Sequence, residues 1–146
     1  MTQSVTNDLL LDTHILLWLV ESNPRLRPWT RALIERRWRA GGTILISAVS
    51  GWEIGALAQR GRVTLDLPPD AWFDDILSLT GYMAAPLRHD VAARAYMLSD
   101  LAHGDPADRM LIATAIDLGC PLITYDERIT AFATSHGSRY GFAVES

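Results

Sequence analysis

"LLLDTHILLWLV", residues 9–20, places one carboxylate, Asp12, inside an otherwise apolar run. The run divides at that residue. Residues 8–12 are short, leucine-rich and lack a helical period, which predicts a buried strand. "ILLWLVES" predicts a short helix, stopped at Asn23-Pro24. Asp12 therefore stands at the carboxyl end of a strand. Two readings of it stay open. An aspartate here can cap the following helix through its side-chain oxygen. It can also be held in place for chemistry.

The same alternation continues along the chain. "PWTRALIERRWRAGG" predicts a second helix, with Pro28 in its first turn. "TILIS" (43–47) predicts a strand, and "AVSGWEIGALAQRG" a helix ending at Gly61. "PPDAWFDDILSLTG" predicts an amphipathic helix, "YMAAPL" a short strand, and "DVAARAYMLSDL" a helix. "DPADRMLIATAIDLG" has Asp105 as N-cap, Pro106 at the first helical position and Gly119 just past the end. "PLITYD", "ERITAFATSHG" and "GFAVE" complete the pattern as strand, short helix and strand. Strands separated by helices imply crossover connections and a mainly parallel sheet covered on both faces, an α/β sandwich. Apolar clusters run through the whole length without a linker or repeat, so residues 1–146 are expected to form a single domain.

Composition narrows the function classes. With 49% hydrophobic and 21% charged residues the chain can bury a substantial core. The single cysteine, Cys120, excludes an internal disulfide framework and a multi-cysteine zinc site; it is expected to be buried packing. No basic segment followed by an apolar one opens the chain, and no apolar run approaches the roughly 18 residues of a membrane span. A cytoplasmic protein with no membrane association is expected. The net charge of −4 argues against a general nucleic-acid coat. Yet all 13 basic residues are arginine, and six lie between Arg25 and Arg39. Those six read either as a solvated helix face or as phosphate contacts. Among the tryptophans, Trp18 and Trp52 are spaced as helix-packing residues.

In a parallel sheet, ligands sit beyond the carboxyl ends of the strands. Asp12 and Asp126 both end strands. Asp105 and Asp108 begin a helix and lie three residues apart, close enough to share one face. Glu53 has two readings. "SGWE" matches a capping box with Ser50 as the cap. A helix starting near Ser47 instead lines Glu53 up with Val49 and Leu57 on an apolar face. Each acid has an ordinary explanation, but all five fall on one edge of the sheet. An oxygen-only cluster there suits a hard divalent cation such as Mg²⁺ or Mn²⁺. Such an ion assists phosphodiester hydrolysis. Phosphate-binding glycine loops and the G-x-S-x-G elbow are absent from the sequence. His14 and His103 lie near the expected site and read as hydrogen-bonding or substrate-touching residues.

Four segments in order, D-T-H near the start, S-x-x-S-x-W-E-I, D-P-x-D-R-x-L-I-A-x-A and L-I-T-x-D, make the chain resemble PIN-domain ribonucleases of the VapC toxin type. The resemblance spans Leu9 to about Phe132. It implies a three-layer α/β/α sandwich and Mg²⁺-dependent endonucleolytic cleavage of RNA. It implies Asp12, Glu53, Asp105, Asp108 and Asp126 as metal ligands, with Asp12, Glu53, Asp108 and Asp126 catalytic and Asp126 the more peripheral. Arg109 is expected to hold structure. The resemblance further implies a homodimer or toxin–antitoxin hetero-oligomer. In it a VapB-like antitoxin inhibits the toxin by placing a basic side chain at the acidic site. The rival readings are a PIN-fold binding or regulatory module with little nuclease activity, and a phosphate-receiver domain. The receiver lacks its expected paired acids and its late lysine here.

Overall fold

The computed structural model describes residues 6–102 and 104–146. Its strands are β1 (Leu9–Leu11), β2 (Ile44–Ser47), β3 (Tyr82–Ala85), β4 (Leu122–Ile123) and β5 (Val144–Glu145). They form one sheet in the order β3-β2-β1-β4-β5, and every pairing is parallel. The helices are α1 (Thr13–Val20), α2 (Pro28–Arg39), α3 (Ala48–Gln59), α4 (Pro69–Leu77), α5 (His89–Ala95), α6 (Pro106–Leu118) and α7 (Glu127–Tyr140).

The core follows from strand periodicity. Successive side chains point to opposite faces, so a strand covered on both faces must be apolar throughout. Leu9 and Leu11 pack with Ile44, Ile46 and Ile123 against α1, α2 and α4. Leu10 packs with Leu45 and Leu122 against α6 and α7. The α3 helix serves both layers, through Ile54 on the first side and Val49 on the second. This is the expected three-layer arrangement.

Strand order creates the cleft. From β1 the chain winds outward to β2 and β3, then crosses back to lay β4 on the other edge of β1. The reversal falls between β1 and β4, where a parallel sheet opens a crevice at its carboxyl end. The register pairs Leu11 with Ile123. Asp12 follows directly, its N–H bonded to the Ile123 carbonyl at 3.0 Å.

Two helices differ from their expected lengths. The α5 helix stops at Ala95, well short of Leu101. The Arg109 guanidinium, reaching from α6, donates to the carbonyls of Ala95 and Leu98 at 3.0 and 3.4 Å and of Leu101 at 2.8 Å. Acceptors that a longer helix would use are thus taken by a cation, and Arg109 has the expected structural role. The α7 helix runs through Gly137 and ends at Gly141, whose φ of 69° is left-handed. Gly137 serves close approach rather than termination. A methyl group there would overlap the Phe142 carbonyl oxygen, and the Phe142 N–H donates to the Gly137 carbonyl at 2.9 Å. Trp52 also departs from expectation: it is 73% exposed. Cys120 is buried as expected, and burial pushes its thiol up to about 11. Among the described residues, no helix is long and apolar enough to cross a membrane.

Gly137→Ala improves helix propensity by about 1 kcal/mol, yet it should lower the urea midpoint, because the new methyl pushes away the turn leading to β5. A raised midpoint would show that Gly137 has no packing role.

Candidate active site

The carboxylates at the crevice are positioned by the starts of helices. Asp12 is the N-cap of α1: its Oδ1 accepts from the Thr13 N–H at 2.7 Å. Its Oδ2 accepts from the Thr124 hydroxyl at 2.6 Å. Thr124 follows β4 and is fully buried, and its Oγ1 also accepts the Asp126 N–H at 3.1 Å. One hydroxyl therefore links Asp12, directly after β1, to Asp126, three residues past the end of the neighbouring β4. Asp126 in turn caps α7, with Oδ1 accepting from the N–H groups of Arg128 and Ile129 at 2.9 and 3.0 Å.

The two readings of Glu53 resolve in favour of the earlier helix start. Ser47 is the N-cap of α3 and accepts from the Val49 N–H. Ser50 lies inside the helix and is fully buried. Its hydroxyl is 2.9 Å from that of Thr13, and the Thr13 hydroxyl donates to Glu53 Oε1 at 2.5 Å. Thr13 has one proton to give and gives it to Glu53, so Ser50 must donate to Thr13. The donors Ser50 and Thr13, in series, fix the accepting Glu53 carboxylate beside Asp12.

Asp105 caps α6 as expected, with Oδ1 accepting from the N–H groups of Ala107 and Asp108 at 2.9 and 3.2 Å. Asp108 occupies the first turn of α6 and is half-buried.

The electrostatics tie the set together. Burial raises the Asp12 carboxyl above its ordinary value. The bonds from Thr124 and Thr13 and the field of His14 oppose that rise, and the Asp126 charge adds to it. Glu53 is likewise raised, first by burial and then by the charges of Asp12 and Asp105, against the Thr13 bond. Neighbouring anions in a poorly solvated crevice disfavour ionisation together. Oxygen donors in that condition fit a hard divalent cation, which would relieve both the burial and the repulsion. Among the described residues, no three His, Cys, Asp or Glu side chains are close enough to hold an ion as they stand. Gathering three onto one ion requires side-chain rotation.

Other candidates separate. His14 is exposed, and its ring lies 5.7 Å from that of Trp18. His103 lies outside the described residues. Within the arginine-rich stretch, Arg37 donates to both Glu145 oxygens at 2.8 Å and ties α2 to β5. Arg36 lies over the Trp29 ring, and Arg39 approaches Glu35. Those three belong to the solvated-face reading. Thr13, Ser50 and Thr124 were missed as site residues. The available signal was a hydroxyl residue within three positions of each acid, Thr13 after Asp12, Ser50 before Glu53 and Thr124 before Asp126.

The PIN domain pattern matches residues 9–134, most of the chain. The chain belongs to the PIN-domain family. This PIN domain is 31% identical over 121 residues to Ribonuclease VapC22 of Mycobacterium tuberculosis (strain ATCC 25618 / H37Rv), covering 83% of this chain and 88% of that protein. Solved structures share the fold at lower identity. VapBC2 from Rickettsia felis, bound to a DNA fragment from its promoter, superposes with a TM-score of 0.60 at 15% identity, covering 94% of this chain and 96% of that one. A toxin–antitoxin complex from Klebsiella pneumoniae gives 0.57 at 19%, covering 93% and 96%.

The raised carboxyls of the PIN domain predict a pH dependence. A carboxyl raised in the fold favours folding below its unfolded value of about 4, and this contribution is lost as pH rises through the raised value. At neutral pH the Glu53 anion therefore weighs against the metal-free fold. Glu53→Gln keeps an oxygen for Thr13 and removes the charge. Its Tm in chelator should exceed the wild type's at neutral pH, with the difference closing as pH falls toward about 4. A difference that is constant with pH would remove the electrostatic explanation.

Proposed function

We propose that this chain is a metal-dependent endoribonuclease and the toxin of a VapBC-type toxin–antitoxin pair, acting in the cytoplasm. The observation that carries the reading is the meeting of Asp12 and Glu53, both raised by burial, at the reversal of strand order. The 31% identity to a protein named a ribonuclease supports it.

Mg²⁺, with Mn²⁺ as a substitute, would be held by Asp12, Glu53 and Asp108, with Asp105 and Asp126 at the rim. When bound, such an ion supplies a water of lowered pKa and stabilises charge on the phosphodiester oxygens. The chain's own contribution is orientation. Thr124 and the Thr13 N–H hold the two Asp12 oxygens, and the Ser50–Thr13 pair holds Glu53. Capping bonds occupy one oxygen each of Asp105 and Asp126, so their second oxygens can face the site. Metal chemistry depends on ligand geometry, and these bonds limit the rotation needed to bring the oxygens onto one ion.

Inhibition would come from a VapB-like antitoxin whose basic side chain enters the acidic crevice. Two structures that share the fold belong to toxin–antitoxin assemblies, which supports such a partner. The toxin itself would form a homodimer or join a hetero-oligomer with the antitoxin.

RNA 5′-end mapping in a bacterial host, with wild type induced beside Asp12→Asn, tests the reading. New ends at a few sites should appear with wild type and fall by more than about 100-fold in the variant. Ends at equal frequency in both would exclude Asp12 from the reaction. Separately, Mg²⁺ or Mn²⁺ should raise the Tm of chelated wild type and fail to do so for Glu53→Gln. Cleavage that survives thorough chelation would point to a metal-free reaction.

A further inference from the structure

Beside the acidic crevice lies a second cleft of about 450 Å³, between the end of α1 and the loop after α3. His14 and Trp18, one helical turn apart on α1, form an aromatic wall, and Arg25 and Arg62 stand on the rim. His14, which lines this cleft, stands two residues after Asp12 at the start of α1.

Both arginines are placed by pinned turns. The Asn23 side chain accepts the Arg25 N–H at 2.9 Å, and the next residue, Leu26, is buried in the core. Gly61, at a φ of 70°, turns the chain out of α3, and the Arg62 N–H bonds back to the Leu57 carbonyl at 2.9 Å. Among the described residues neither guanidinium has an ion pair or hydrogen bond, unlike those of Arg37, Arg88 and Arg139. Glu21 is also on the rim and is paired with neither. Two exposed guanidinium groups without an ion pair, lining one cleft with two aromatic rings, match a single nucleic-acid strand: arginine takes phosphate oxygens and the ring takes a base.

We propose that this cleft binds a stretch of single-stranded RNA flanking the bond to be cut, with Arg25 and Arg62 on successive phosphates and a base against Trp18. The proposal rests on the nuclease reading and adds a binding subsite to it. An acidic protein segment would also meet the arginines, but it gives the aromatic wall no role.

The test uses the full-length protein and a fluorescein-labelled single-stranded RNA of about 20 nucleotides and mixed sequence, long enough to cross both clefts. Anisotropy titrations in chelator, where no cutting is expected, are repeated across about 50 to 200 mM salt. The double variant Arg25→Gln/Arg62→Gln should bind about tenfold more weakly or worse, with a log–log salt slope shallower by about 1.4, the value for two lost phosphate contacts on a single strand. Arg94→Gln, on α5, removes a charge elsewhere and should keep the wild-type slope. Equal slopes and affinities for wild type and double variant, in a protein that cuts RNA, would overturn the subsite and leave the nuclease reading standing. The arginines would then be left to an acidic protein partner. A wild type that neither binds nor cuts RNA with Mg²⁺ added would overturn both.

Discussion

The β1 strand is paired on both edges and covered on both faces, so Leu9, Leu10 and Leu11 have no exposed surface. Moving such a strand by one residue would turn every side chain to the wrong layer. The residue after it therefore has a fixed position. That residue is Asp12, and it emerges where the strand order reverses. The sheet delivers one carboxylate to the crevice, and the neighbouring strand delivers the hydroxyl of Thr124 that holds it. This placement has a cost, since burial disfavours the anion. The hydrogen bonds from Thr13 and Thr124 offset part of it, and a bound cation would offset more.

Capping a helix does not remove a carboxylate from possible chemistry. Asp12, Asp105 and Asp126 all cap helices, each through Oδ1. In a parallel α/β fold the carboxyl ends of strands and the amino ends of the following helices share one edge. Caps on that edge face the crevice whether or not they act in it. The positive ends of the helix dipoles point the same way and temper the repulsion among the acids. An N-cap assignment thus says nothing against a functional role.

The arginines show the opposite division. Their clustering in sequence suggested one surface, but tertiary structure distributes them. Arg37 holds β5, Arg27 lies over the Tyr125 ring at 4.3 Å, and Arg25 meets Arg62, which is distant in sequence, at a separate cleft. Arg109, which follows Asp108 in sequence, holds the end of α5.

The strand and helix pattern, the parallel sheet and the five acids at one edge were legible in the sequence, because each depends on local periodicity and local stops. Apolar runs long enough only for strands, prolines at helix starts and glycines at helix ends leave few alternatives. The helix start before Glu53 remained ambiguous, since Ser47 and Ser50 offer equivalent caps; packing chose Ser47 by burying Ser50 against Thr13. Gly137 looked like a stop because its need for close approach to Phe142 arises only once β5 is docked. The hydroxyl network, the end of α5 and the placing of Arg25 and Arg62 at one cleft all involve residues far apart in the chain. Sequence by itself determined which groups are present at the edge and on which element each sits. Only the tertiary structure decided which of them meet, because contact between elements depends on strand order and helix packing.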